Sequence, residues 1–207
     1  MNRTSGRPRT RLEPELRREL ILDSAERTFA GRDPAVVTFE DVAEGAGVSR
    51  ALIYNYFGDK GGLLAAVYVR VISRLDARLA AAMATTTVPS ERLHVAIEGY
   101  VAFARENADL WKLVGMAELT WHPAVEDARR ARYDALTAAW GGTPGARMLA
   151  RGFVGFLENA TLDLVERPDL PDDQAVTLLH RVLWDGLGEL AAFRTHSFAA
   201  LTPFQRA

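Results

Sequence analysis

Three observations predict an all-α protein of about nine helices. Apolar residues recur every three to four positions along almost the whole chain, and the alternation typical of strands is nearly absent. Glycine, proline and helix-capping residues divide this pattern into segments of helical length. The 207 residues are 48% hydrophobic and 25% charged, a composition typical of a globular protein with a sizeable core.

The chain is expected to have three parts. Residues 1–13 are polar and aperiodic and should form a flexible arm. Residues 14–60 should form a domain of three helices. A linking helix from Lys60 to about Ala82 then joins this domain to a larger helical domain, residues 61–207.

Local signals place the helices of the first domain. Thr38 and Asp41 have the spacing of a capping box, so a short helix should start there. Gly47 can adopt the left-handed conformation that ends this helix, and Ser49 is a suitable N-cap for the next one. The three expected helices run from Pro14 to about Gly31, from Thr38 to Gly47 and from Arg50 to Phe57.

Capping residues and prolines divide the larger domain in the same way. Ser90 and Asp172 are expected to act as N-caps. After the linking helix, the expected helices start at Ser90, span Asn107 to Leu119, run from Pro123 to about Trp140 and from Thr143 to Arg167, and start again at Asp172.

Composition and charge exclude several classes of protein. With no cysteine, the chain can have no disulfide, thiolate nucleophile or cysteine-ligated metal. No apolar run approaches the ~18 residues of a membrane span, so we expect a cytoplasmic protein with no membrane partner. The net charge of −2 excludes a simple polycation that coats nucleic acid. Residues 1–12 carry four arginines and no acid, whereas residues 13–60 hold six basic and ten acidic residues, so any contact with nucleic acid must be local.

Residues 38–57 spell two short helices at a sharp turn, with Val42, Val48 and Ile53 as a shared core. This arrangement is the helix-turn-helix. Its second helix is narrow enough for the major groove of DNA, and side chains at its N-terminus reach the edges of the bases.

The segment from Thr38 to Lys60 resembles the signature of TetR-family transcriptional regulators. The run Ile53-Tyr54-Asn55-Tyr56-Phe57, followed by Asp59-Lys60 and Leu63-Leu64, is its most specific part. The resemblance covers about residues 14–70, and beyond them only the number and order of the helices are similar. It implies a homodimeric protein that binds a double-stranded DNA operator and regulates transcription, most simply a repressor that a small-molecule effector releases.

The resemblance also implies DNA-contacting residues. Arg50 would read guanine with a bidentate fork, and Ala51 would contact a thymine methyl group. Phosphates would be contacted by Tyr54, Tyr56, Lys60 and the hydroxyl and backbone N–H of Thr38. The full expected set is Thr38, Ser49, Arg50, Ala51, Leu52, Tyr54, Asn55, Tyr56 and Lys60, with Arg7, Arg9 and Arg11 of the arm as candidates for the minor groove.

The sequence departs from the family pattern at two places. Leu52 stands where a small or hydroxylated residue is usual, so apolar contact with thymine should replace a hydroxyl contact. Gly61-Gly62 replaces helix-forming residues and should cost about 1 kcal/mol per glycine in helix propensity.

The resemblance further implies an effector cavity in the larger domain. An apolar and aromatic lining would suit a hydrophobic or amphipathic small molecule. The candidate lining residues are Tyr100, Phe103, Trp111, Met116, Trp121, Phe153, Phe156 and Asn159. No metal or other cofactor is expected: His122 and Glu126 could form only half of a metal site, and His122 is better explained as a helix cap.

The last two helices are expected to form the dimer interface. They are apolar over a wider arc than one chain's core requires, and glycines would allow helices of two chains to approach closely. Two such hairpins would form a four-helix bundle that places two recognition helices on two half-sites. The candidate interface residues are Gly152, Gly155, Leu183 and Leu187.

Two alternatives stay open. In the first, the protein binds DNA without a ligand, as an activator or architectural factor, with the second domain only a scaffold for the dimer. The other alternative is a small all-α enzyme whose helix-turn-helix is incidental. That class requires a clustered acid, base or nucleophile, and the sequence shows none at a recognisable spacing.

Overall fold

The computed structural model describes residues 13–116 and 122–188, and within these ranges it contains nine α-helices, one 3-10 helix and no strand. The all-α prediction is therefore confirmed. The helices are α1 (Pro14–Ala30), α2 (Phe39–Ala46), α3 (Arg50–Phe57), α4 (Lys60–Met83), α5 (Pro89–Glu106), α6 (Ala108–Trp111), α7 (Pro123–Ala139), α8 (Pro144–Glu166) and α9 (Asp172–Gly188), with the 3-10 helix at Lys112–Gly115.

The chain divides into two compact units, residues 1–63 and 64–207. The first contains α1 to α3 and the start of α4, and the second contains the rest. Four of the predicted site residues lie outside the described part: Arg7, Arg9, Arg11 and Trp121. The side chain of Leu187 lies outside it as well. In the described ranges, no helix is long and apolar enough to cross a membrane.

The predicted capping signals organise the first unit. The Thr38 hydroxyl accepts the backbone N–H of Asp41 at 3.3 Å, and the Asp41 carboxylate accepts the backbone N–H of Thr38 at 2.8 Å. Gly47 ends α2 with a φ of 64°, a conformation that favours glycine. Ser49 caps α3 by accepting the N–H of Leu52. Local sequence rules therefore place both helices of the helix-turn-helix correctly.

Close packing joins α1 to α2. Ser24 of α1 is buried, and its hydroxyl donates to the carbonyl of Val42 in α2 at 2.8 Å. A Cβ at Gly45 would lie 2.4 Å from the Ser24 hydroxyl oxygen, so only glycine fits there. The core of this unit includes Ile21, Leu22, Ala25, Val42 and Ile53, all essentially inaccessible to solvent.

Three details of the second unit differ from expectation. α5 begins at Pro89, and its N-cap residue is Val88, whose side chain makes no capping hydrogen bond. Ser90 therefore lies inside the helix and is not the cap. Asp172 is the first residue of α9 rather than its cap, and its carboxylate accepts a hydrogen bond from Arg105 at 2.9 Å. One helix is expected from Asn107 to Leu119; as far as residue 116, where the described range ends, the segment forms the short α6 and then the 3-10 helix.

Aromatic rings form the centre of the second unit. Trp111 is fully buried, and its ring meets those of Tyr100 and Phe103 edge-on, with centroids 5.5 and 6.0 Å away. The indole N–H of Trp111 donates to the Thr161 hydroxyl at 3.1 Å. His122 caps α7, where its Nδ1 accepts the N–H of Ala124 at 3.3 Å, as the sequence predicts.

Candidate nucleic-acid interface and internal cavity

One face of α3 is open to solvent. Arg50, Ala51, Tyr54 and Asn55 are exposed and lie on adjacent positions of the helix surface, and Ser49 is exposed just before them. Ile53, on the opposite side, is completely buried and anchors the helix to the domain core. The exposed face therefore presents a cation, a methyl group, a phenol and an amide together, which are suitable groups for contacting base edges and phosphates.

Arg50 is held within its own domain. Its Nη1 pairs with Glu40 Oε1 of α2 at 2.5 Å, and its Nη2 donates to the Tyr54 hydroxyl at 2.9 Å. Its guanidinium also lies over the Tyr54 ring, 5.2 Å from the centroid. The hydrogen bond to Tyr54, with the charge of Glu40, raises the pKa of Arg50 above its usual range. No local pattern in the sequence pairs Glu40 with Arg50.

Tyr54 is oriented by α2. Its ring packs edge-on against Phe39, with the centroids 4.5 Å apart and the planes at 72°. Phe39 is buried, so the ring of Tyr54 rests on a fixed support while its edge remains exposed.

Tyr56 and Lys60 have partners inside the domain. The Tyr56 hydroxyl donates to the carbonyl of Pro14 at 3.2 Å, and Lys60 Nζ donates to the carbonyl of Ala35 at 2.8 Å. Both residues are partly buried. Their assignment to phosphates remains a prediction, and it requires these side chains to exchange or share those partners.

Thr38 does not offer the free donors expected of it. Its hydroxyl and its backbone N–H both donate to Asp41 Oδ2, at 2.7 and 2.8 Å. Arg32 pairs with the other oxygen of this carboxylate at 2.8 Å. Hydrogen bonds from Arg32 and then Thr38 hold the pKa of Asp41 well below its usual value. The helix-starting role of Thr38 therefore uses the groups that the resemblance assigned to a phosphate.

Leu52 and Gly62, at the two departures from the family pattern, have different environments. Leu52 is partly buried at the edge of the exposed face. A Cβ at Gly62 would lie 2.0 Å from the carbonyl oxygen of Phe57, so a side chain is sterically excluded there. The Gly62 N–H donates to the Asp59 carboxylate at 2.8 Å, which caps α4. Gly62 is therefore required for the close turn between α3 and α4.

The second unit encloses a cavity of about 30 Å³. Tyr100 and Phe153, two of the predicted lining residues, do line it. The rest of the lining comes mainly from aliphatic side chains, including Leu79, Met83 and Leu157. Asp76 and Arg132 supply a charged pair at its wall, which the predicted apolar lining did not include.

The other described candidates lie elsewhere. Phe103 and Trp111 belong to the solid core, and Met116 is partly buried outside the lining. Phe156 is exposed on the outer side of α8, and the Asn159 amide, also exposed, donates to Gly155 of its own helix. Apolar periodicity identifies buried faces of helices, but it does not say which buried residues border an empty space.

A buried ionic cluster joins three helices beside this cavity. Arg132 Nε pairs with Asp76 Oδ1 at 3.0 Å, and its Nη1 pairs with Glu158 Oε1 at 3.1 Å. The side chains of Arg132 and Glu158 are 10% and 9% exposed. Burial raises the pKa of Glu158, and Arg132 opposes this rise. The residues come from α4, α7 and α8, so no local sequence pattern links them.

The outer faces of α8 and α9 expose apolar side chains. Met148 and Phe156 on α8 and Leu178 and Val182 on α9 are exposed. A Cβ at Gly152 or Gly155 would meet nothing within 4 Å in this chain.

The predicted role of Leu183 is wrong. It is only 7% exposed and belongs to the core of its own chain, because it points to the inner side of α9. Among the described side chains of that helix, the outward apolar ones are Leu178 and Val182.

Comparison with known proteins agrees with this geometry. Residues 21–67 match the family model described as bacterial regulatory proteins, tetR family. Over this segment the chain is similar to the TetR family. The matched segment includes α2, α3 and the exposed face of α3, so the resemblance seen in the sequence is confirmed where the helix-turn-helix lies.

Proteins similar to this chain are named as regulators of transcription. An uncharacterised HTH-type transcriptional regulator of Mycobacterium tuberculosis is 38% identical over 96 residues, which cover 46% of this chain and 48% of that protein. The chain thus matches about half the length of this relative. The HTH-type transcriptional activator FasR of Mycolicibacterium smegmatis is 27% identical over 89% of both chains.

A solved TetR-like regulator from Rhodococcus has a similar fold. The match covers 86% of this chain and 99% of that one, with a TM-score of 0.61 and 25% identity. The helical architecture is therefore shared over most of the chain.

Proposed function

We propose that this protein is a sequence-specific DNA-binding regulator of transcription. The exposed face of α3 carries the proposal: Arg50, Ala51, Tyr54 and Asn55 are supported from below by Ile53 and from the side by α2. A recognition helix needs such a rigid support and an outward polar face. We place the protein in the cytoplasm, with the DNA that it binds. Its relatives are regulators, which favours this function over a small helical enzyme.

The proposed active form is a homodimer. The exposed apolar residues of α8 and α9 are Met148, Phe156, Leu178 and Val182, and a second copy of the same surface would cover them in a four-helix bundle. Gly152 and Gly155 would allow the helices of the two chains to approach closely. Two-fold symmetry would then present one α3 to each half of a palindromic operator.

Release by a small molecule is the proposed form of regulation. α4 contains Lys60 at its start and Asp76, Leu79 and Met83 on the wall of the cavity. A ligand that favours one position of α4 would change the fit of the recognition helices to DNA. This supports a repressor that leaves its operator when the ligand binds.

Activation is the second candidate. FasR, which aligns over 89% of this chain, is named a transcriptional activator. The DNA-binding surface is the same under both readings, so only the direction of the effect on transcription separates them.

The test has two steps. DNA fragments are first selected from a random pool with the purified full chain, and a promoter carrying the selected site is then transcribed in vitro with and without the protein. Enrichment of a common site followed by reduced transcription supports the repressor, and increased transcription supports the activator. A pool that remains random after selection contradicts a sequence-specific regulator.

A further inference from the structure

The hydroxyl group of Tyr100, in the second unit, is buried without a hydrogen bond in the part of the chain that the structure describes. Tyr100 is 1% exposed, and its hydroxyl makes no hydrogen bond of ordinary length with the described residues. The Arg132 guanidinium lies near enough to act on this hydroxyl, but it can only donate, so it offers no acceptor for the hydroxyl proton. Its ring is held edge-on against Trp111, with the centroids 5.5 Å apart, so the hydroxyl cannot easily turn away to find a partner. A buried hydroxyl without a partner destabilises a fold, and such a group calls for an explanation.

The unsatisfied residue lines the cavity. Tyr100 is part of its wall, beside the aliphatic side chains of Leu79 and Met83 and the ring of Phe153. The volume of about 30 Å³ has room for about two water molecules, or for the terminal group of a larger molecule. Met83 has an unbranched and adaptable side chain, which can move to admit more of such a molecule.

The charges at the wall are already balanced against each other. Asp76 and Arg132 line the cavity and pair at 3.0 Å, and Glu158 behind them takes a second donor of Arg132. An anionic ligand would compete with two carboxylates for Arg132, and a cationic ligand would lie beside the guanidinium. The lining therefore disfavours a charged ligand of either sign.

We propose that this cavity binds the polar end of an uncharged effector with an apolar body, whose carbonyl or hydroxyl oxygen accepts a hydrogen bond from the Tyr100 hydroxyl. The inference rests on the proposed regulation by a small molecule and names the chemistry of that ligand. The Tyr100 hydroxyl then recognises an oxygen atom at the end of the ligand by a hydrogen bond, and the aliphatic side chains of the lining favour a ligand whose remaining part is apolar.

Direct binding to the full chain tests the proposal without DNA. The probes are five molecules with the same six-carbon chain: hexane, hexanol, hexanone, hexanoate and hexylamine. Calorimetry should show that hexanol and hexanone bind more tightly than the hydrocarbon and than either charged probe. Binding of neither neutral oxygen probe, or tighter binding of hexanoate or hexylamine, would overturn the proposal.

Two tyrosine-to-phenylalanine variants form the matched pair. Tyr100→Phe keeps the ring against Trp111 and removes the unpartnered hydroxyl, so its thermal unfolding should occur at the wild-type temperature or higher. Its affinity for hexanol and hexanone should fall about tenfold, while hexane binds as before. Tyr68→Phe removes a buried hydroxyl that already accepts from Arg129 at 3.1 Å and lies outside the lining, so it should lower stability and leave probe affinity unchanged. Equal affinity of Tyr100→Phe and wild type for the oxygen probes would overturn the proposed hydrogen bond from Tyr100.

A second arm separates this proposal from the proposed function. Hexanol and hexanone are added to the protein bound to its selected DNA. Release by these probes, reduced in Tyr100→Phe, supports both. Probe binding that depends on Tyr100 without any release upholds the cavity chemistry and contradicts regulation through it. Release by a different chemical class, with no Tyr100-dependent binding, upholds the regulator and overturns the cavity chemistry.

Discussion

Arg50 would have to exchange partners to make the proposed contact with DNA. It pairs with Glu40 and donates to Tyr54 in the free domain, and the side chains of Arg50 and Glu40 are both more than half exposed. An exposed ion pair contributes only about 0–1 kcal/mol, whereas a bidentate contact with guanine discriminates against the wrong base by about 1–3 kcal/mol. The free energy lost with the Glu40 ion pair is therefore smaller than the free energy gained from a contact with guanine.

Removal of this side chain should affect specificity more than general affinity. Arg50→Ala is expected to weaken binding to the selected operator by about 1–3 kcal/mol and to leave binding to random DNA nearly unchanged. Titration of both DNAs at one salt concentration measures the two effects. Equal losses on operator and random DNA would show that Arg50 contacts phosphate rather than a base.

Glu40 should restrain Arg50 and repel the DNA backbone. Glu40→Gln is expected to tighten binding to all DNA, because one negative charge near the phosphates is lost and Arg50 is freed. Glu44→Gln, an exposed carboxylate on the same helix, is the control with the same change in net charge. The ratio of the affinity for the operator to the affinity for random DNA should change only in Glu40→Gln. The same ratio in both variants would contradict the proposal that Glu40 positions Arg50.

At the scale of elements, α2 supports the recognition helix and must itself be held in place. The box between Thr38 and Asp41 starts it, Gly47 ends it and Gly45 lets it approach Ser24 of α1. Phe39 and Glu40 on this helix then contact Tyr54 and Arg50. The orientation of α2 thus determines how the α3 side chains are presented.

The contact between α1 and α2 can be tested by adding one methyl group. Gly45→Ala places a Cβ 2.4 Å from the Ser24 hydroxyl and should destabilise the first unit by about 1–3 kcal/mol. Combining it with Ser24→Ala removes the clashing oxygen, so the double variant should be more stable than the sum of the two single effects predicts. Denaturant unfolding of the four proteins gives the coupling energy, and simple additivity would contradict the close approach.

The start of α2 should be sensitive to acid. The pKa of Asp41 lies below its ordinary value of 3.8, mainly because of Arg32 and then Thr38. Its carboxylate therefore contributes stability that is fully present above that value and is lost as pH falls through the lowered pKa. The stability difference between wild type and Asp41→Asn should be constant above about pH 5 and shrink in more acid solution. A difference that does not depend on pH would contradict this role of the charge.

The sequence predicts this part of the fold well because its signals are local. Thr38, Gly47 and Ser49 each act within a few residues, so spacing alone reveals their roles. The pairing of Glu40 with Arg50 is not visible in the same way, because the two residues meet only when the turn at Gly47 folds back. The cluster of Asp76, Arg132 and Glu158 is harder still to predict from the sequence, because it forms only when three helices of the second unit pack together.

At the scale of the whole molecule, the proposed high-affinity binding to DNA requires two chains. One α3 supplies the contacts of only one half-site, and linking two binding units typically raises affinity by about 10²–10⁴-fold. The exposed apolar face of α8 and α9 is the surface proposed to supply that link. Leu183, which lies in the core, is unsuitable for testing it because a charge there would unfold the unit.

Gly152→Glu should separate the dimer without unfolding the chain. Nothing within 4 Å in the same chain would clash with a Cβ there, but a partner helix would meet a bulky and unpaired charge. Light scattering should show a monomer, and operator affinity of the same sample should fall by about 10²–10⁴-fold. Ala124→Glu on α7 adds the same charge at an exposed position away from this face and should remain a dimer. A dimeric Gly152→Glu protein would place the interface elsewhere.

The central claim is that the exposed face of α3 reads DNA sequence from a two-fold symmetric protein. Parallel selection of random DNA with wild type and with Arg50→Ala tests it most directly. We predict that wild type enriches an inverted repeat with a strongly preferred guanine in each half, and that Arg50→Ala loses the preference at those two positions while keeping the rest of the repeat. Recovery of the same guanines with Arg50→Ala, or of a site without two-fold symmetry with wild type, would contradict the claim.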